Sequence, residues 1–310
     1  MKWLVTGGAG YIGSHVILEL LNGDNEVVAI DSLASGSRER IPNQVKFFDY
    51  DIRDITKIEK ILKAENFDGI FHLAALKSVN QSFQQSKLYI EVNTEASVSL
   101  FKLACRENVK KIIFSSTAAV YSSEGENSKL ESDVPNPSSP YGNSKLLAEY
   151  ELDRLIEENM IEGTSLRFFN VIGSAGGHYR EINGENLLPK IVNQLRSGIR
   201  PQIYGKDYET RDGTCIRDYV DVRDIAKAHV SAAFSQKIPN KINIGTGIGS
   251  TVLEVVSEIS KVLGKKCDPD FQDRRLGDQE VVIADISLAR NFLNYAPNFL
   301  MHESVATSIL

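Results

Sequence analysis

The 310-residue chain has only three cysteines, Cys105, Cys215 and Cys267, an odd number without CxxC spacing, so neither a disulfide framework nor a metal site is expected. No apolar run approaches the roughly 18 residues a membrane span requires, and the N-terminus opens into a strand pattern without a basic and apolar leader. Membrane spanning and secretion are not expected; a reducing cytoplasm is. An excess of positive charge is also missing, since 35 lysines and arginines face 41 aspartates and glutamates for a formal net charge of -6. That balance excludes a general nucleic-acid or anionic-membrane surface, and any anionic ligand has to meet local cations. Internal repeats, low-complexity tracts and disordered linkers are absent as well.

What is present is an ordinary globular composition, 42% hydrophobic, in a length that suits two modest domains or one α/β unit with an insertion. The apolar strand Lys2 to Thr6 runs through Gly7-Gly8-Ala9-Gly10-Tyr11-Ile12-Gly13 into the helical pattern Ser14 to Leu21. In that context Gly7, Gly10 and Gly13 allow a tight turn, close approach to a pyrophosphate and close helix packing, while the helix N-terminus offers free N–H groups. The next strand ends at Asp31, whose carboxylate accepts hydrogen bonds from an adenosine ribose and repels a 2′-phosphate, which favours NAD over NADP. The bland alternative is an αβ turn with incidental glycines.

Further along, Asp51 and Ile52 follow a third strand, where an adenine edge would be met. The buried strand Gly69 to Ala75 ends in small residues that leave room for ribose and phosphates, with Lys77 just beyond. His72 reads as a packing residue. Leu88 to Glu107 is expected to be one long helix containing Asn93. Lys111 to Phe114 is a strand leading into Ser115-Ser116-Thr117, hydroxyls at the C-terminal edge of a parallel sheet, where ligands bind. Thr117 is the one expected to bond a substrate hydroxyl; a turn-forming serine cluster is the alternative.

Tyr141 and Lys145 are spaced to share one face of a helix that starts after Pro140. A tyrosine base at neutral pH needs roughly 4 kcal/mol of preferential phenolate stabilisation, and a neighbouring ammonium supplies part of it. A Tyr and a Lys four residues apart equally describe a helical surface pair. Strands and helices alternate as far as Asn170, which implies a doubly wound parallel sheet. The expected division is a nucleotide-binding domain over 1–170, with 217–244 packing back on it, and a smaller substrate-binding domain over 171–310.

With these residues in place, the chain resembles the extended short-chain dehydrogenase/reductase superfamily, and within it the UDP-glucose (UDP-galactose) 4-epimerases, over nearly its whole length. The matching segments are TGGAGYIGSH from Thr6, HLAALKSV from His72, SSTAAVY from Ser115, the Tyr141 and Lys145 pair, RFFN from Arg167, DGTCIRDYV from Asp212 and RRLGD from Arg274. The resemblance implies a Rossmann-type domain, bound NAD and a homodimer, with the helices Leu88 to Glu107 and Tyr141 to Asn159 as the candidate interface. It makes Tyr141 the base, Lys145 the residue that tunes it and holds the nicotinamide ribose, and Thr117 the hydroxyl bridging substrate and base. Cofactor contacts are expected from Gly7, Gly10, Tyr11, Ile12, Gly13, Asp31, Ser32, Leu33, Ser35, Gly36, Asp51 and Ile52. Leu73, Ala74, Ala75, Lys77, Asn93, Ser115 and Phe169 complete that set. Asn170, Asn186, Leu187, Ile203, Tyr204, Arg217, Arg275 and Asp278 would hold the nucleotide sugar, the two arginines neutralising its diphosphate. Val282 takes the family's gate position beside the sugar C2 substituent, where a small residue goes with tolerance of N-acetylhexosamines.

The implied reaction is NAD-dependent 4-epimerisation of a UDP-hexose: Tyr141 takes the C4 hydroxyl proton, hydride leaves C4, the 4-keto sugar turns over and hydride returns to its other face. A 4,6-dehydratase would need an acidic pair directly after Thr117, and Ala118 and Ala119 cannot serve. Another nucleotide-sugar epimerase or a reductase would share the Tyr and Lys, and a non-catalytic NAD-sensing protein would need neither. One departure is that the glycine-rich stretch Gly173 to Glu185 is shorter than in typical members.

Overall fold

The computed structural model describes residues 1–121, 128–182, 186–275 and 278–310. Residues 183–185 of the glycine-rich stretch, and Leu276 and Gly277 of the RRLGD segment, lie outside the described residues. In chain order the strands are β1 (Lys2–Thr6), β2 (Glu26–Asp31), β3 (Lys46–Asp49), β4 (Gly69–His72), β5 (Lys111–Thr117), β6 (Ser128–Lys129) and β7 (Glu162–Phe168). There follow β8 (Asn170–Ile172), β9 (Gln202–Tyr204), β10 (Ile216–Asp221), β11 (Lys241–Ile244), β12 (Gly249–Thr251), β13 (Asp270–Gln272) and β14 (Val281–Ala284).

A seven-stranded parallel sheet runs in the order β11-β7-β5-β4-β1-β2-β3. Successive residues of a strand face opposite sides, so helices can cover both faces. Trp3 and Val5 join one buried cluster with Phe71, Ile113 and the helices Tyr11–Asn22 and Val222–Phe234. Leu4 joins the other with Ile70, Ile112, Phe114 and the helices Ile55–Ala64, Ala96–Arg106 and Pro140–Glu157. At roughly 1.5–3 kcal/mol for each large apolar side chain fully buried, this two-sided burial fixes the sheet. From β1 the chain moves outward through β2 and β3, then crosses to β4 on the other side of β1, which opens a crevice at the carboxyl ends of the strands.

A smaller unit is assembled beside that edge. β12, β10, β14 and β6 form a second sheet, β8 pairs with β10, and β13 pairs with β9. Its own cluster includes Ile172, Leu188, Ile191, Ile203, Tyr219, Val256 and Val305, the last on the C-terminal helix Met301–Ile309. The return to the large sheet begins only after β10: the helix Val222–Phe234 packs on Tyr11–Asn22, and β11 takes the edge beside β7. β10 itself pairs with β8, β12 and β14, while its Val220 packs in the core cluster of the large sheet.

The expected helix from Leu88 to Glu107 is divided into Ser86–Tyr89, a π-helical stretch Ile90–Glu95 and Ala96–Arg106. Asn93 is fully buried in the π stretch and bonded to Leu76 of the loop after β4 and to Ser144 of the helix Pro140–Glu157. Among the described residues no helix is long and apolar enough to cross a membrane.

Candidate active site

A cavity of about 600 Å³ follows the crevice from the glycine turn to the smaller unit. At one end Gly7 leaves β1 with φ +71°, and a side chain there would meet the Ala74 backbone at 2.6 Å. A Cβ on Gly13 would lie 2.2 Å from the Gly7 carbonyl oxygen, so the helix Tyr11–Asn22 starts directly against the turn. Its N-cap, Gly10, supplies no side-chain cap. The amides of the first turn are therefore donors toward the cavity, which Tyr11, Ile12 and Gly13 line.

Asp31 lies at the end of β2, accepting from Ala9 N at 3.0 Å and Leu33 N at 2.8 Å. Burial pushes its carboxyl above the ordinary range, and the two amide bonds oppose that. Ser32, Ser35, Asp51, Ile52, Leu73, Ala74, Ala75, Lys77 and Ser115 also line the cavity. Leu33 and Gly36 do not. Leu33, at φ +56°, orients Asp31, and Gly36 packs on Ala9. Asn93 stands behind the wall: it accepts from Leu76 N at 2.8 Å and donates to Leu76 O at 2.9 Å and Ser144 Oγ at 3.0 Å. It braces the loop after β4 against the Tyr141 helix. Ser115 pairs with buried His229 at 2.7 Å.

Tyr141 sits on the first turn of Pro140–Glu157, where Pro140 suits the start and the Ser139 hydroxyl caps Gly142 N at 3.1 Å. Gly142 is required for proximity, because a Cβ there would come within 2.2 Å of the Ala119 carbonyl oxygen. The helix start thereby abuts the turn after Thr117, and the Thr117 hydroxyl bonds the phenol. Thr117, Tyr141, Lys145 and Phe169 all line the cavity. Burial pushes the Tyr141 phenol up to about 12, the Thr117 bond opposing. Burial also pulls Lys145 down to about 7, against the attraction of Glu149, with Nζ 4.2 Å from the Phe114 ring centroid. Desolvation dominates both groups and favours their neutral forms.

Toward the smaller unit, Asn170, Asn186 and Leu187 line the cavity, with Phe168, Tyr219, Leu188 and Pro189. Ile203, Tyr204, Arg217, Arg275, Asp278 and Val282 stand outside this lining. Among them Arg217 pairs with Asp278 at 3.2 Å, and Arg275 lies 4.0 Å over the Tyr204 ring. Lys190, one residue beyond Pro189, reaches within 5.2 Å of the same ring. Although burial opposes it, Lys190 and Arg275 hold the Tyr204 phenol below its ordinary value. Ile203 is buried beneath, and Val282 faces Arg217 across β14 and β10.

Sequence reasoning missed Arg40, Arg53, Glu181 and Lys190. Arg40 lines the cavity and donates to the carbonyls of His178 at 3.0 Å and Arg180 at 2.6 Å. Arg53 pairs with Asp51 at 2.7 Å and Glu91 at 2.8 Å, and Glu181 pairs with Lys77 at 2.6 Å. Each couples segments distant in the chain, and no local pattern signals them.

A glycine turn at a helix start thus shares one cavity with a Thr, Tyr and Lys constellation. The chain belongs to the NAD dependent epimerase/dehydratase family, whose model matches residues 3–245. It is 36% identical over 306 residues to a UDP-glucose 4-epimerase of Lacticaseibacillus casei, covering 96% of this chain and 92% of that protein. The crystal structure of a UDP-glucose-4-epimerase from Stenotrophomonas maltophila, with bound NAD and formylated UDP-arabinopyranose, superposes with a TM-score of 0.93 at 32% identity, covering 100% of this chain and 97% of that one. A UDP-Glc/GlcNAc 4-epimerase from Campylobacter jejuni does so with 0.87 at 35%, covering 99% and 97%.

Proposed function

We infer that this protein is an NAD-dependent UDP-hexose 4-epimerase, an isomerase that interconverts UDP-glucose and UDP-galactose through a transient 4-keto sugar. The observation that carries the reading is the convergence of Thr117, Tyr141 and Lys145 on the cavity whose far end is the glycine turn and Asp31. The donor set fits NAD: uncapped amides at a helix start for the pyrophosphate, and a carboxylate with two of its acceptor sites filled by amides for the ribose. Arg38, the cation nearest in sequence for a 2′-phosphate, is turned away onto the Phe47 ring and the Ile41 carbonyl. When bound, NAD supplies a positively charged, reversible hydride acceptor for C4.

The protein's part is proton handling and placement. The Tyr141 phenol oxygen removes the proton from the C4 hydroxyl and later returns it, Thr117 fixes that hydroxyl and the phenol together, and Lys145 steadies negative charge on the phenolate. Dehydration is disfavoured because a turn of Ala118–Val120, without a carboxylate, follows Thr117. We assign cofactor contacts to residues 1–170 with the returning segment, and the sugar and diphosphate to Asn170, Asn186, Leu187, Tyr204, Arg217, Arg275 and Asp278. Val282 in the gate position supports acceptance of UDP-N-acetylglucosamine, since a tyrosine replaced by valine removes more wall than an acetamido group adds. A homodimer in the cytoplasm, serving galactose metabolism, completes the proposal; Leu147 and Tyr150, exposed on the Tyr141 helix, support a helical interface. The test is incubation of the purified protein with UDP-glucose and with UDP-N-acetylglucosamine, no cofactor added, followed by separation of the products. Formation of the 4-epimers supports the reading, and no conversion of either sugar would overturn it.

A further inference from the structure

Beneath the catalytic face lies an ion pair that the reaction as described does not use. Glu149, one helical turn beyond Lys145, and Arg167 on β7 are both fully buried. Arg167 grips the carboxylate with Nη2 at 2.6 Å and Nε at 3.0 and 3.2 Å to its two oxygens. The Ser116 hydroxyl donates to the same carboxylate. Ser116 is Arg167's partner across β5 and β7 and the residue before Thr117, which itself pairs with Phe168 of the cavity wall. The other side of the guanidinium is fixed too, since Nη1 donates to Tyr121 Oη at 3.1 Å, and that phenol donates to Asn243 on β11 at 2.6 Å. One carboxylate therefore joins the strand end carrying Thr117 to the helix carrying Tyr141 and Lys145.

Burying two charges is costly, and an apolar pair of similar volume is commonly as stable or more so. Stability alone does not account for the pair. Its placement does: Glu149 is the anion that acts on Lys145, whose Nζ otherwise rests against the Phe114 ring. We propose that Glu149, held by Arg167, is a positioning residue for the reaction, fixing Thr117 against the Tyr141 and Lys145 face and supplying the negative charge behind Lys145. The inference rests on the epimerase reading for its kinetic consequence but not for its electrostatic one. Because burial draws Lys145 toward neutrality near pH 7, loss of Glu149 shortens the alkaline range in which Lys145 stays charged.

Glu149→Gln keeps the shape and removes the charge. The alkaline limb of its kcat/KM profile should move down by about one pH unit or more, and kcat at pH 8 should fall about tenfold with KM for the UDP-sugar little changed. Glu149→Asp should restore the limb in part. Since Glu149→Gln leaves Arg167 buried without its anion, Glu149→Gln/Arg167→Met serves as the second variant; it removes both charges and should show the same displaced limb. Ser116→Ala, which cuts only the tie to Thr117, should lower kcat a few-fold without moving the limb. The titration of Lys145 itself, followed by NMR on lysine-labelled protein and assigned by Lys145→Met, should move down in Glu149→Gln and in Glu149→Gln/Arg167→Met. A parent without epimerase activity but with that displaced titration would sink the functional reading alone. An unchanged Lys145 titration in folded charge-removing variants would overturn the positioning role, whatever the activity.

Discussion

The glycine-turn end of the cavity and the polar side chains beside its other end are built from different materials. The cofactor end is mostly backbone: a left-handed Gly7, a Gly13 that admits no side chain, uncapped helix amides, and one carboxylate held by two main-chain N–H groups. The group proposed to hold the sugar nucleotide stands outside the cavity lining and is made of side chains that hold one another, Arg217 on Asp278 and Arg275 and Lys190 on Tyr204, drawn from β9, β10, the helix Leu187–Arg196 and the segment before β14. A backbone cradle presents fixed dipoles with little to reorganise, whereas a side-chain cluster has to exchange internal partners for the ligand's diphosphate. The same contrast predicts firm retention of the cofactor and readier exchange of the sugar nucleotide.

The largest effect is expected where the two ends meet. Tyr141→Phe removes the proton acceptor and leaves the cradle intact, so kcat should fall by about 10²–10⁴-fold while NAD still co-purifies. Turnover close to the parent's would mean that another group is the base. Gly13→Val forces a side chain into the Gly7 carbonyl and should abolish co-purified NAD, read by absorbance and assay of nucleotide released on denaturation. Retained NAD would break the account of the cofactor end.

Arg217→Ala should do the converse, raising KM for the UDP-sugar by about 10–100-fold through loss of a charge-assisted contact, with cofactor content unchanged. If it released NAD instead, the two ends would not be separable. A last contrast concerns pH. His15, His72 and His229, all on the large-sheet side, are buried and pulled down to about 4, 3 and 4. An unfolded chain takes up these protons near pH 6.5 and the folded one only near 3–4, so stability present above 6.5 is lost as pH falls. Each costs on the order of 2 kcal/mol by pH 5. Thermal midpoints should drop between pH 7 and 5, and less so in His229→Gln; a flat profile would contradict the burial of these neutral rings.

The backbone-built end was legible in the sequence because its signals are local. The strand, glycine turn and helix are contiguous, Asp31 ends the next strand, and Tyr141 and Lys145 lie one turn apart after a proline. What could not be read is what depends on long-range pairing. The start of the return segment was set by β10 pairing with β8, β12 and β14, and no local pattern distinguishes such a strand from one in the large sheet. Asn93 stood out as a polar residue in a helical pattern, but its bonds to Leu76 and Ser144 come from segments 17 and 51 residues away. Arg40, Glu181 and Lys190 were missed for the same reason. The spacing of Tyr141 and Lys145 reports that they share a helix face but not their desolvation, which is the largest influence on both.

The central claim is that Tyr141 moves a proton on oxygen while the C4 hydrogen travels as hydride on a cofactor that never leaves. Epimerisation of UDP-glucose in D2O, with purified protein and no added NAD, tests it in one spectrum. NMR of the UDP-galactose formed should show protium retained at C4. Deuterium at C4 would mean that the hydrogen exchanges with solvent as a proton, and would contradict the account.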